Sequence, residues 1–151
     1  MRDVILIING PNLNSLGRRE PEKYGHQRLP DLQAEWLEWG ERHQRRIRLL
    51  TSQFEGEILA ALHSAEEEGE VGAVVINPGA LTHTSRALRD AIASLSIPVV
   101  EVHMTNIAAR EEWRRHSVVA EVCAGSIAGL GAHGYLLGLQ AVHQMMQQVS
   151  A

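Results

Sequence analysis

Three arginines, two histidines, two asparagines, a glutamate and a tyrosine carry the chemistry of this chain. Arg19, Arg110 and Arg114 offer planar guanidinium donors, which match a carboxylate at two points. Asn12, Asn77, His83 and either Ser85 or Thr105 suit hydroxyls and a carbonyl oxygen. Ser85 also stands where it can cap a helix. Glu101 lies two residues before His103. A histidine with one ring nitrogen held by a partner is a usable general acid near neutrality; the other reading is a histidine satisfied within the structure. Tyr24 sits beside Gly25 in a loop that opens at Gly17. Tyrosine ionises near 10, so it acts as a base only where a cation stabilises its phenolate. Arg18 and Arg19 are near enough in sequence to do that, although Tyr24 taken alone reads as a loop aromatic. The segment from Gly17 to Gly25 reads as a mobile lid that brings arginine and tyrosine in together. The implied ligand is small, anionic and oxygen-rich.

Other chemistries lack their residues. No Gly-x-Gly-x-x-Gly or Gly-x-x-x-x-Gly-Lys-Ser/Thr follows the first apolar run, so nucleotide phosphates lack their usual cradle. A Schiff base needs a desolvated lysine, and Lys23, the only lysine, lies in a charged loop. His83, His103 and His116 are metal candidates in type, but no His-x-x-x-His pair or cysteine cluster supports a site, and no metal or cofactor is expected. No Gly-x-Ser-x-Gly elbow marks a serine hydrolase. Cys123 is the single cysteine, set between valine and alanine, and reads as a buried thiol.

The 151 residues suit one domain, with 44% hydrophobic and 21% charged residues. The net charge of −4 argues against a nucleic-acid partner. The chain shows neither a signal-peptide layout nor a membrane-length apolar run, so a cytoplasmic protein away from membranes is expected.

Short apolar runs alternate with amphipathic stretches. Strands are predicted at Val4 to Ile8, Ile47 to Leu50, Ala73 to Ile76, Val99 to Val102 and Val122 to Ala128. The first lacks polar alternation, as a parallel strand buried on both faces should. Helices are predicted at Leu32 to His43, Glu55 to Glu68, Ser85 to Ala93, Ala109 to Arg115 and Gly134 to Val149. Strict alternation gives an α/β doubly wound five-stranded parallel sheet, for which the flavodoxin-like order 2-1-3-4-5 is expected. Ligands in such sheets bind beyond the carboxyl ends of the strands. Asn12, Arg19 and Tyr24 follow strand one, Asn77 and His83 follow strand three, and His103, Thr105, Arg110 and Arg114 follow strand four. The candidates therefore gather on one edge.

At these residues the sequence resembles the type II 3-dehydroquinate dehydratases. The matching segments include Asn9-Gly-Pro-Asn-Leu-Asn14, Leu16-Gly-Arg-Arg-Glu-Pro21 with Tyr24-Gly25, Asn77-Pro-Gly-Ala-Leu-Thr-His-Thr-Ser85, Ala87-Leu-Arg-Asp90, Pro98-Val-Val-Glu-Val-His103 and Ala109-Arg-Glu-Glu112 with Arg114. The resemblance spans nearly the whole chain. It implies a flavodoxin-like fold and a cofactor-free lyase that converts 3-dehydroquinate to 3-dehydroshikimate in the shikimate or quinate route. It implies that Tyr24 takes the C2 proton, with its pKa lowered by Arg19. Asn77 would hold a water against the enolate oxygen, and His103, oriented by Glu101, would protonate the departing C1 hydroxyl. Asn12, His83, Met104, Thr105, Arg110 and Arg114 would bind substrate. Asp90 would reach a neighbouring subunit's site, which implies trimers assembled into a dodecamer. The chain also departs from the family. Ser15 stands where many members have leucine, and Thr51-Ser52-Gln53-Phe54 replaces a commoner Gln-Ser-Asn-His. Thr105 replaces serine, Ala108 replaces His or Tyr, and Val118-Val-Ala-Glu121 replaces Tyr-Leu-Ser-Pro. These departures motivate a second reading, a non-catalytic homologue that binds ring carboxylates. A third is a flavodoxin-like mononucleotide binder.

Overall fold

The structure, a computed structural model, describes residues 1–151 except the side chain of Tyr24. Five strands, β1 (Val4–Asn9), β2 (Arg46–Thr51), β3 (Val71–Asn77), β4 (Val99–His103) and β5 (Gly125–Ala128), pair in parallel in the order β2-β1-β3-β4-β5. Helices α1 (Pro21–Tyr24), α2 (Leu29–Arg42), α3 (Glu55–Glu68), α4 (Leu81–Thr84), α5 (Arg86–Ala93) and α6 (His133–Ser150) connect and cover them. The expected strand order is the observed one.

The alternation of side chains along each strand divides the core in two. Ile5, Ile7, Val75, Val100 and Val102 face Leu32, Trp36 and Trp39 of α2 and Leu139 and Val142 of α6. Leu6, Ile8, Val74, Ile76 and Val99 face Ile58 and Leu62 of α3 and Leu88 and Ile92 of α5. Every residue of β1, β3 and β4 is buried, which explains their unbroken apolar character. Each such aliphatic side chain contributes roughly 2 kcal/mol by leaving water. No helix among the described residues is long and apolar enough to cross a membrane.

Several expected boundaries move. The helix expected over Ala109 to Arg115 is instead two 3₁₀ turns, Ile107–Ala109 and Glu112–Arg114. Asn106 caps the first by accepting from Ala108 N–H, and Arg110 between them is extended at φ −102° and ψ −164°, which no α-helix permits. The fifth strand begins at Gly125, not Val122, because Ala120–Val122 close into another 3₁₀ turn. Helix α2 starts at Leu29, ahead of the expected Leu32, since the Asp31 carboxylate accepts from Arg28 N–H at 3.1 Å and fixes the first turn. Ser85 caps α5, its hydroxyl accepting from Leu88 N–H at 2.9 Å.

Candidate active site

The carboxyl ends of β1 and β3 lie side by side, with Asn9 registered against Asn77. Their loops are fitted backbone to backbone. A Cβ on Gly10 would lie 2.4 Å from the Pro78 carbonyl oxygen, and one on Gly79 would lie 2.9 Å from that of Pro11. Gly79 also holds φ +60°, a left-handed conformation that glycine adopts without strain. The two asparagines are buried and share one partner. Tyr135 of α6, fully buried, donates to Asn9 Oδ1 at 2.6 Å and accepts from Asn77 Nδ2 at 2.8 Å. Asn77 Oδ1 accepts from Gly79 N–H at 3.1 Å, so the amide is fixed at both ends. Burial drives the Tyr135 hydroxyl far above its ordinary value, although the Asn77 bond pulls the other way. That phenol stays protonated and is a clamp, not a base.

Strand β4 ends in the acid–base pair. Glu101 and His103 are two residues apart on a strand, so both side chains point to the same face. His103 Nε2 meets Glu101 Oε2 at 2.5 Å, with both side chains almost wholly buried. The Thr82 hydroxyl donates to the same carboxylate oxygen, and the Ser117 hydroxyl lies 2.9 and 3.1 Å from the two oxygens. Burial raises the Glu101 pKa, but the bonds from His103, Thr82 and Ser117 outweigh it and hold the group below the ordinary value of 4.5. With Nε2 committed to Glu101, Nδ1 is the ring nitrogen left for a ligand.

A cavity of about 140 Å³ opens in front of this pair. Asn12, Arg19, Asn77, His83, His103, Met104, Thr105, Arg110 and Arg114 all line it, so nine of the expected residues meet on one surface. Glu101 stands behind His103, away from that lining. Arg114 is held by Glu111 at 2.6 Å and lies 4.0 Å over the Trp113 ring. Arg110 lies 3.4 Å from the Thr105 hydroxyl and 3.8 Å from Glu111. Arg19 lies 3.6 Å from Glu20 and is partly exposed. His83 Nδ1–H donates to the His116 carbonyl at 2.8 Å, which turns Nε2 outward, and burial lowers the His83 pKa. Met104 is buried, and its carbonyl accepts from Gly131 N–H at 2.9 Å. Asp90 is exposed on α5 and is not part of the lining. The side chain of Tyr24 lies outside the described residues; its helix α1 begins two residues after Arg19.

A family model described as Dehydroquinase class II matches residues 3–143. The chain belongs to that family. It is 50% identical to the 3-dehydroquinate dehydratase of Deinococcus radiodurans over 144 residues, covering 95% of this chain and all of that one. It is 52% identical to the enzyme of that name from Bacillus pumilus, covering 89% of this chain and 90% of the other. Among solved structures, the type II dehydroquinase of Butyrivibrio crossotus superposes with a TM-score of 0.90 at 41% identity, over 92% of this chain and 96% of that one. A 3-dehydroquinate dehydratase-like protein from Bifidobacterium longum is more distant, with a TM-score of 0.72 at 30% identity, over 95% and 98%.

As a class II dehydroquinase, the chain also uses residues that the sequence did not single out. Thr82 and Ser117 meet Glu101, and Tyr135 clamps Asn9 and Asn77. Gln53 accepts from Asn12 N–H at 2.8 Å and donates to Asn14 at 2.9 Å, pinning Asn12 at φ 71°. Of these, only Tyr135 left a usable signal: a lone tyrosine inside an apolar helix needs a polar partner. Cys123, expected to be buried, is half-buried, and its partial burial still pushes the thiol up to about 12. No group of three or more potential metal ligands occurs among the described residues.

Proposed function

We propose that this protein dehydrates 3-dehydroquinate to 3-dehydroshikimate by anti elimination through an enolate. One observation carries the reading. In a chain of this family, a buried Glu101–His103 pair turns one ring nitrogen toward a cavity bordered by Arg19, Arg110, Arg114 and Asn77. Arg110 and Arg114 bind the carboxylate, with Asn12, His83, Met104 and Thr105 completing the substrate contacts. Tyr24 takes the C2 proton as a phenolate favoured by Arg19; Tyr135, the other tyrosine, is buried and protonated and cannot serve. Asn77, rigid at both ends of its amide, steadies a water on the enolate oxygen. His103 then gives its proton to the departing C1 hydroxyl, and Glu101 offsets the imidazolium charge.

Under this reading the chain is one catalytic domain over residues 1–151, without metal or cofactor, in the cytoplasmic shikimate or quinate route. Asp90, exposed on α5, is free to reach a neighbour's site in trimers that build a dodecamer. Adding 3-dehydroquinate to purified protein should raise the ultraviolet absorbance of the conjugated enone product. Folded protein that binds the ring carboxylate without forming product would instead establish the non-catalytic reading. Tyr24→Phe should abolish turnover and leave substrate binding largely intact. A fully active variant would remove Tyr24 from the mechanism.

A further inference from the structure

We propose that Thr82 and Ser117 are positioning residues that hold the buried Glu101 as a carboxylate and so keep the proton of the Glu101–His103 pair on the histidine. The inference deepens the dehydratase reading and rests on it.

The hydrogen-bond count makes the case. Glu101 is 1% exposed, so its charge is costly unless hydrogen-bond donors stabilise it. Three donors converge on it: His103 Nε2, the Thr82 hydroxyl and the Ser117 hydroxyl. The Ser117 oxygen already accepts from Val119 N–H at 3.3 Å and Ala120 N–H at 3.1 Å. Its lone pairs are occupied, so its single hydrogen is turned to the glutamate. Thr82 is fully buried and lies 3.1 Å from the Ser117 oxygen, and its own carbonyl accepts from Val118 N–H at 2.8 Å. The α4 turn and the 117–120 turn are thus tied together around the carboxylate.

Two neutral arrangements of the acid–base pair compete. In one, imidazolium faces carboxylate. In the other, neutral imidazole faces carboxylic acid. Hydroxyl donors stabilise the first, because a hydrogen bond to a charged oxygen is worth more than one to a neutral acid. Without them the proton shifts toward Glu101, and His103 loses the charge that makes it an acid. The other titratable or charged groups facing Glu101 are His83 on α4, Arg115 and His116 before Ser117, and Glu121 and Cys123 on the following turn. Among the described residues, none of these hydrogen-bonds the carboxylate.

The test is a double-mutant cycle. Thr82→Val and Ser117→Ala are measured alone and in a Glu101→Gln background, with Thr82→Ser and Ser117→Thr as conservative controls. Each single variant should lower kcat for 3-dehydroquinate about tenfold with KM within about twofold, and each control should recover most of that loss. In the Glu101→Gln background the further loss should stay under about twofold, since the charge the hydroxyls serve is gone. Equal losses in both backgrounds, or a raised KM at unchanged kcat, would show a merely structural role and overturn the proposal. If Thr82→Val does not fold, Ser117→Ala decides. A wild type without turnover would sink the dehydratase reading instead. Acid unfolding then decides this one: losing a donor raises the folded-state pKa of Glu101, so the acid transition should move to higher pH in each single variant and stay put in the Glu101→Gln background. Unmoved single-variant transitions would overturn it.

Discussion

Replacing Tyr135 by phenylalanine isolates one oxygen atom that stands behind the site. The ring that packs on Trp36, with centroids 4.5 Å apart, is retained, so the core keeps its volume. Two hydrogen bonds disappear, of 2.6 and 2.8 Å, and two buried amide ends lose their partner. An orphaned buried polar group costs about 1–3 kcal/mol, which sets a range of roughly 2–6 kcal/mol for the pair. Rotation of the Asn77 amide offers little relief, because Oδ1 is already taken by Gly79 N–H. Removing the phenol recovers its own desolvation cost, which brings the expected loss to about 3 kcal/mol. For a chain of this size that corresponds to a Tm lower by roughly 6–12 °C. Calorimetry at matched protein concentration reads the shift directly, because assembly would otherwise move Tm as well. The same variant should lose about tenfold in kcat with KM little changed, since Asn77 would no longer hold its water in place. A Tm within about 2 °C of wild type together with unchanged kcat would refute the clamp.

Three further outcomes follow from the geometry. Gly10→Ala should destabilise by more than about 3 kcal/mol and cut activity with it, because the new Cβ meets backbone 2.4 Å away; soluble yield and thermal unfolding report it. Arg114→Ala should raise KM about 10- to 100-fold with a smaller change in kcat, through loss of a charged contact, as steady-state kinetics would show. Cys123 should alkylate far more slowly at pH 8 than a free thiol, since its pKa of about 12 leaves almost no thiolate; timed iodoacetamide labelling followed by mass spectrometry measures this.

The three central strands were legible because burial on both faces leaves unbroken apolar runs. Val4 to Ile8 and Ala73 to Ile76 are runs of that kind, and the parallel order follows once helices separate them. The rule that ligands lie beyond strand carboxyl ends then placed nine residues on one cavity. The segment after β4 misled because its charged residues fit a polar helix, whereas the side chain of Asn106 and the extended Arg110 set the backbone there. The support behind the site was hidden for a different reason. Tyr135 meets residues 58 and 126 positions away, and Ser117 meets Thr82 across 35, so only the folded chain brings them together.

The position of Tyr135 also bears on when the site comes into being. Asn9 and Asn77 leave the ribosome early, but their shared hydroxyl belongs to α6, more than fifty residues further on. A nascent chain therefore carries both asparagines without the hydroxyl that joins their amides until α6 has been made and has docked. Changes in α6 therefore reach the candidate site through Tyr135, although among the described residues that helix adds none to the cavity lining.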